Sequence, residues 1–188
     1  IVDAFGIALS QIGGTRQVVT DSALSKRMQP AFMARAAILS AHLARRGIQG
    51  CQNVFEGSYG YFNLYWGGGY SKQELIKDIG KRFEGDNLSF KPYPCCRYTH
   101  GPIDATLQCI KKNHLTSEMI EEITVRLVKH NFFNLVSRPF ALRGNPSVDA
   151  QFSIPYTVAS AILDGYVSLD SFEPQKVKER AHHPLLKQ

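Results

Sequence analysis

Residues 30–46 constrain this chain most. Pro30 opens a run that keeps helical spacing as far as Arg46, and Gly47 follows it. Proline suits the first turn of a helix and glycine its end. Phe32, Ala36, Leu39 and Leu43 mark one face, while Ala34, Ala37, Ala41 and Ala44 make much of the rest small and apolar. Charge and imidazole are confined to Arg35, His42, Arg45 and Arg46. A helix apolar on most sides has to be buried among other helices. The run therefore predicts a helical domain larger than the rest of this chain can complete.

Other elements follow from similar signals. Asp3 to Gln17 is rich in Ala, Ile and Gly and reads as helical up to Gly13-Gly14, with a polar link over 20–27 behind it. Residues 52–70 are aromatic and Gly-rich and predict a short helix and a turn. Ser71 with Glu74 at the capping-box spacing predicts a helix over 71–80. The character changes near residue 88. A short strand is expected around Leu88–Phe90, and Pro92 and Pro94 then impose a stiff, extended segment. Pro102 predicts a helix carrying Ile103, Leu107 and Ile110. Ile123, Val125 and Leu127 alternate with Thr124 and Arg126, which predicts a strand. Ser153 to Leu163 reads as a helix ended by Gly165. The expected fold class is thus α+β and mainly helical. Residues 1–87 are read as the C-terminal part of a helical domain, and residues 88–188 as the beginning of a smaller α/β domain.

Composition excludes several classes. The 188 residues are 44% apolar and 20% charged, an ordinary globular mix. No apolar stretch approaches the roughly 18 residues of a membrane span. The opening, Ile1 to Phe5, has no basic region leading into an apolar run, so no signal peptide is read there. A first residue that is not methionine suggests a start inside a longer product. The net charge is +6, but it is diffuse. Residues 1–88 hold 10 basic and 7 acidic side chains and residues 89–188 hold 12 and 9, so each part carries +3. A nucleic-acid binder concentrates its charge; small anionic substrates fit a diffuse excess equally well. Four cysteines, Cys51, Cys95, Cys96 and Cys109, do not form a secreted disulfide framework. A reducing, cytoplasmic compartment is expected.

The densest chemistry lies in 90–102, Phe-Lys-Pro-Tyr-Pro-Cys-Cys-Arg-Tyr-Thr-His-Gly-Pro. Lys91, Arg97 and His100 sit on a proline-stiffened approach to a helix N-terminus, which offers free N–H groups and a positive dipole end. That combination suits a carboxylate or a phosphate, and His100 can move protons near neutral pH. A solvated loop with a capping histidine is the plainer reading of the same residues. Cys95, Cys96, His100 and Cys109 lack the spacing of a zinc knuckle, and no carboxylate cluster suits magnesium or calcium, so no metal is expected. A Cys96–His100 nucleophile pair lacks a third orienting group nearby, and inert buried thiols are the simpler account of the cysteines. The Gly67-Gly68-Gly69-Tyr70-Ser71-Lys72 stretch lacks the residue order of a phosphate loop.

Several segments, in order and over nearly the whole chain, resemble the MmgE/PrpD family. They are 3–8 (Asp-Ala-Phe-Gly-Ile-Ala), 26–35 (Lys-Arg-Met-Gln-Pro-Ala-Phe-Met-Ala-Arg), 62–65 (Phe-Asn-Leu-Tyr), 90–100 and 152–159 (Phe-Ser-Ile-Pro-Tyr-Thr-Val-Ala). The resemblance implies a large helical domain, a smaller α/β domain and a site in the cleft between them. It implies further helices upstream and further strands downstream of these residues. The implied activity is that of a lyase without an organic cofactor acting on a small polycarboxylate, similar to 2-methylcitrate dehydratase and linked to propionate metabolism. An epimerase or decarboxylase of the same family stays open, as does a truncated chain that does no chemistry. The resemblance assigns Lys26 and Lys91 to substrate binding, with Lys91 and His100 as catalytic residues, and Arg97 of the same cluster is read as a further substrate-binding residue. Lys26 and Lys91 are expected to approach from opposite sides of the cleft. Many members have His where Gln29 stands and Gly where Ala31 stands, and decarboxylase-like members have His where Cys96 stands. A homodimer is expected, with no nucleic-acid or membrane partner.

Overall fold

The computed structural model describes residues 1–130 and 133–186. They divide into two compact units: residues 1–15 with 27–89, and residues 16–26 with 90–188. The described residues are mainly helical and contain no strand.

In the first unit, α1 (Val2–Leu9) packs on α3 (Gln29–Arg45). The helix expected from Asp3 stops at Leu9, well short of Gly13. Gly6 lets α1 settle on the chain at Gly50–Cys51, since a Cβ at Gly6 would stand 2.4 Å from the Cys51 nitrogen. Asp3 receives the Gly50 N–H at 3.2 Å and the Gln52 amide at 2.8 Å. Within α3 only Ala36 and Ser40 are buried, and Phe32, Ile38 and Leu39 stay exposed. Short helices α4 (Tyr61–Trp66) and α5 (Lys72–Ile76) follow. Gly67, at φ 62°, closes α4 in the left-handed region that glycine adopts without strain. The Ser71 side chain caps α5 by accepting the Glu74 N–H, as the spacing predicts, but that helix ends at Ile76 rather than Gly80. An aromatic row, Phe5, Phe55, Phe62 and Tyr70, joins these pieces, with Phe62 stacked on Tyr70 at 3.9 Å.

The second unit opens with the single turn α2 (Gln17–Thr20) and continues through α6 (His100–Asn113), α7 (Phe133–Val136), α8 (Pro146–Gln151), α9 (Ile154–Asp164) and α10 (Pro174–Arg180). Its core is α9, buried on most sides and packed on α6. Ser153 caps α9 by accepting the Tyr156 N–H, and Gly165 ends it at φ 72°. Tyr156 is fully buried, yet its hydroxyl finds the Ser171 carbonyl at 2.6 Å. Asp164 receives Arg180 at 2.8 and 3.1 Å and Lys176 at 3.0 Å, tying α10 to α9.

Two expected strands do not form. Leu88–Phe90 is exposed and irregular. Residues 121–130 are also irregular, with Ile123 and Leu127 half-buried against the core and Val125 exposed. An alternating pattern becomes a strand only when a neighbouring strand accepts its ladder of hydrogen bonds, and the described residues supply none. The expected α/β character of the second region is therefore corrected to helical for the residues described.

Candidate functional site

The segment expected to carry chemistry forms a tight structure in the second unit. Pro94 sits in a turn closed by the Cys95 N–H donating to the Tyr93 carbonyl at 2.9 Å. The Cys96 N–H donates to the Gln151 carbonyl at 2.9 Å, and the Gln151 amide returns to the Pro94 carbonyl at 3.1 Å. The turn is thus bonded to the end of α8. Thr99 is buried, its hydroxyl donating to the Cys96 carbonyl at 2.8 Å and lying 3.0 Å from the Cys95 thiol. Those bonds shape the single 3-10 turn that feeds α6, which begins at His100 itself, two residues before Pro102.

Lys91 and His100 meet at the Cys95 backbone. The Lys91 ammonium donates to the Cys95 carbonyl at 2.9 Å. His100 is 7% exposed, and its Nε2 is buried with no hydrogen-bond partner among the described residues. Burial pushes the imidazole below its ordinary value, and the nearby positive charges of Lys91 and Arg97 push the same way; a hydrogen bond to the Cys95 backbone and the charge of Asp104 oppose them. The result is a neutral ring at physiological pH, with a nitrogen free to take a proton. Tyr93 stands edge-on to the ring at 5.4 Å and donates its hydroxyl to Asp104 at 2.5 Å. That bond, followed by burial, pushes the phenol up to about 12, so it stays protonated. Burial pushes the Cys95 thiol up to about 11, which leaves it without the thiolate a nucleophile needs. Arg97 is exposed on the same turn.

Lys26 also belongs to this unit, so Lys26 and Lys91 both lie in the unit of residues 16–26 and 90–188. Its ammonium lies 5.1 Å from the centre of the Phe152 ring, a cation–π distance. Phe152 follows Gln151, the residue bonded to the 94–96 turn.

A cavity of about 690 Å³ lies between α6 and residues 122–128. Arg97 and Tyr98 line it, but Lys91 and His100 do not, and its walls are mostly apolar. Such walls suit apolar surface better than a polycarboxylate. Among the described residues, no group of three or more His, Cys, Asp or Glu is placed to hold a metal ion, and no helix is long and apolar enough to cross a membrane. Sequence reading missed Tyr93, Thr99 and Asp149 as members of the site's framework. A lone acid between Val148 and Ala150 was the available sign for Asp149.

The described residues are helical and form two units, and the unit of residues 16–26 and 90–188 contains Lys26, Lys91, Arg97 and the buried His100. The sequence model of the MmgE/PrpD N-terminal domain matches residues 1–73, and that of the MmgE/PrpD C-terminal domain matches residues 93–188. The chain belongs to the MmgE/PrpD family. It is 30% identical to the cis-aconitate decarboxylase-like protein oryM of Aspergillus oryzae, over 97% of this chain and 40% of that protein. It is 26% identical to a cis-aconitate decarboxylase of Aspergillus terreus, over 90% of this chain and 36% of that protein. Against the cis-aconitate decarboxylase of Mus musculus the identity is 25%, over 98% and 38%. The chain spans about two fifths of the length of these relatives.

Proposed function

We propose that the protein carrying this chain is a lyase acting on a small polycarboxylate, and that its first step is removal of a carbon-bound proton. The observation that carries this reading is His100, a buried, neutral imidazole with an unpartnered Nε2 beside Lys91 at the start of a helix. Lys26, Lys91 and Arg97 hold substrate carboxylates through charge-assisted hydrogen bonds. Holding a carboxylate next to the reacting carbon stabilises the negative charge that develops there. His100 accepts the proton from that carbon. The electron pair left behind forms the double bond, the carbon–oxygen bond breaks, and the hydroxyl leaves as water after gaining a proton. This is the reaction of a dehydratase of the 2-methylcitrate type, and no cofactor enters these steps. The same first step followed by reprotonation on the opposite face is an epimerisation.

Decarboxylation is the second reading, and the names of the relatives favour it. There a carbon–carbon bond breaks, carbon dioxide leaves, and the carbanion takes up a proton. His100 could supply that proton only as an imidazolium, which its burial opposes. Cys96 also stands where decarboxylase-like members have histidine.

The test is to incubate the full-length protein with 2-methylcitrate, citrate and cis-aconitate, following alkene absorbance and carbon dioxide release separately. Water loss without carbon dioxide supports the dehydratase reading, and carbon dioxide from cis-aconitate supports the second. No turnover of any of the three sinks both. Lys91→Ala should lower kcat/KM by about 10²-fold, the size of a lost charged hydrogen bond in a site, with little loss of stability because Lys91 is exposed.

A further inference from the structure

The segment that presents Lys26 is held by one buried acid that no substrate reaches. Asp149, on α8, has a fully buried side chain. One of its oxygens accepts the Ser22 hydroxyl, and the other accepts the Arg143 N–H at 2.9 Å and the Gly144 N–H at 3.3 Å. The Arg143 guanidinium lies 3.9 Å away. A buried carboxyl is costly unless its oxygens are hydrogen-bonded, as these are. Its oxygens are occupied, so Asp149 is not free to act on a substrate.

What it grips is unusual. Ser22 is buried with φ 55°, in the left-handed region that residues other than glycine, asparagine and aspartate seldom adopt. Such a backbone persists where its surroundings over-determine it. Here the hydroxyl is held by Asp149, and the Ser22 carbonyl accepts the Asn145 N–H at 3.0 Å. The two loops touch backbone to backbone, since a Cβ at Gly144 would stand 2.6 Å from the Asp21 carbonyl oxygen. Four residues after Ser22 comes Lys26, whose ammonium lies over Phe152, and Phe152 directly follows α8. One short helix therefore anchors the segment at Ser22 and meets its far end at Lys26.

We propose that Asp149 and Ser22 are positioning residues: their hydrogen bond locks residues 16–26 onto the second unit and so fixes where Lys26 offers its charge to a substrate carboxylate. This deepens the proposed function and rests on its assignment of Lys26. The bond adds nothing to binding by itself and acts only through the lysine.

The experiment uses the full-length protein with Ser22→Ala, Ser22→Gly, Asp149→Asn, Lys26→Ala and the double variant Ser22→Ala/Lys26→Ala. Glycine relieves the backbone strain but lacks the hydroxyl, so it isolates the hydrogen bond. Two measurements are made: KM and kcat for whichever of 2-methylcitrate or cis-aconitate is turned over, and the rate of tryptic cleavage after Lys26 or Arg27. Both Ser22 variants are expected to raise KM about tenfold, as for one lost hydrogen bond to a charged group, with kcat within about threefold. Cleavage should accelerate in both. In the Lys26→Ala background, Ser22→Ala should change KM by less than about twofold, because residues acting through one group are not additive. An equal, additive rise in KM in both backgrounds would overturn the proposal, since it would mark a general structural effect. Unchanged KM and unchanged cleavage in the Ser22 variants would overturn it too. If Lys26→Ala leaves KM intact, the carboxylate-holding assignment of Lys26 fails, and the Lys26 role proposed for Asp149 falls with it. Faster cleavage would then show that the anchor exists but serves another end. Should Asp149→Asn fail to fold, the two Ser22 variants still decide the matter.

Discussion

The two units use apolar residues in opposite ways. In the second, α9 is buried along most of its length and Ile103, Tyr156 and Val177 are sealed from solvent. In the first, α3 is longer and as rich in alanine and leucine, yet it buries Ala36 and Ser40 while Ile38 is 63% exposed. Trp66 and Phe83 are likewise more than half exposed. Composition contributes, since α3 carries Arg35, His42 and Arg45 where α9 has only Asp164, but so do the partners each helix meets. Each face of α9 meets an element of the same chain: α6, α8 or the residues beyond α10. Among the described residues, α1 is the helix that packs extensively on α3. Burial is a property of the partners a helix finds.

This contrast can be broken or sharpened by substitution. The largest effect is expected from Tyr156→Ala, which removes a fully buried ring and its hydroxyl's bond to Ser171. A loss of about 4 kcal/mol, typical of a large aromatic in a packed core, should appear in urea unfolding of residues 1–188 followed by hydrogen exchange in α9. A loss below about 1 kcal/mol would show that the second unit is less well packed than its burial indicates. Arg180→Met should come next. It leaves the partly buried Asp164 with Lys176 alone, and breaking such a pair costs roughly 3 kcal/mol. The smaller Lys176→Met effect in the same assay would confirm which cation holds α10.

An acid titration separates the units without mutation. Burial works to raise Asp164, but the hydrogen bonds and charges of Arg180 and Lys176 outweigh it and hold the carboxyl below 3.8. A carboxyl depressed in the folded state gives stability that is present above its unfolded value and lost as pH falls through the folded one. His100 is depressed for a different reason, burial, and its neutral form is the folded one. The unfolded chain then binds that proton first, so stability declines as pH drops below about 6.5 and levels off under the folded value. Both effects lie in the second unit. Protection factors there, which correct hydrogen exchange for its own pH dependence, should fall in two stages, below about pH 6.5 and again below about pH 4, with His100→Gln abolishing the first stage. Fluorescence of Trp66, the sole tryptophan, reports the first unit and should show no matching first stage.

The smallest effect is expected from Leu39→Ala on α3. This leucine is 46% exposed, and truncating it in residues 1–188 should cost under about 1 kcal/mol, well short of a core leucine. In the full-length protein the cost should rise if another surface covers α3. An equal and small cost in both would show that the exposed face stays bare.

Sequence signals that act within a few residues were legible. The α3 boundaries, the Ser71 cap and the glycine stop at 165 were written in local chemistry, because a cap bonds to the backbone two or three residues away. The cluster of Lys91, Arg97 and His100 was equally legible, because a proline-stiffened segment keeps its members close. The same local reading failed for residues 121–130, where the pattern called for a partner strand that the described residues do not contain. It also failed for the first helix, which was expected to run to Gly13 but ends at Leu9.

What the sequence determined by itself is α3, the helix that Gly165 ends, the Ser71 cap and the family-specific residues, since each depends on neighbours along the chain. Tertiary structure alone decided that Lys26 joins the unit of Lys91, that His100 is buried and neutral, and that Asp149 grips Ser22 across 127 positions of sequence. The physical reason is that desolvation and long-range hydrogen bonds depend on which surfaces meet in space, and no local pattern encodes that meeting.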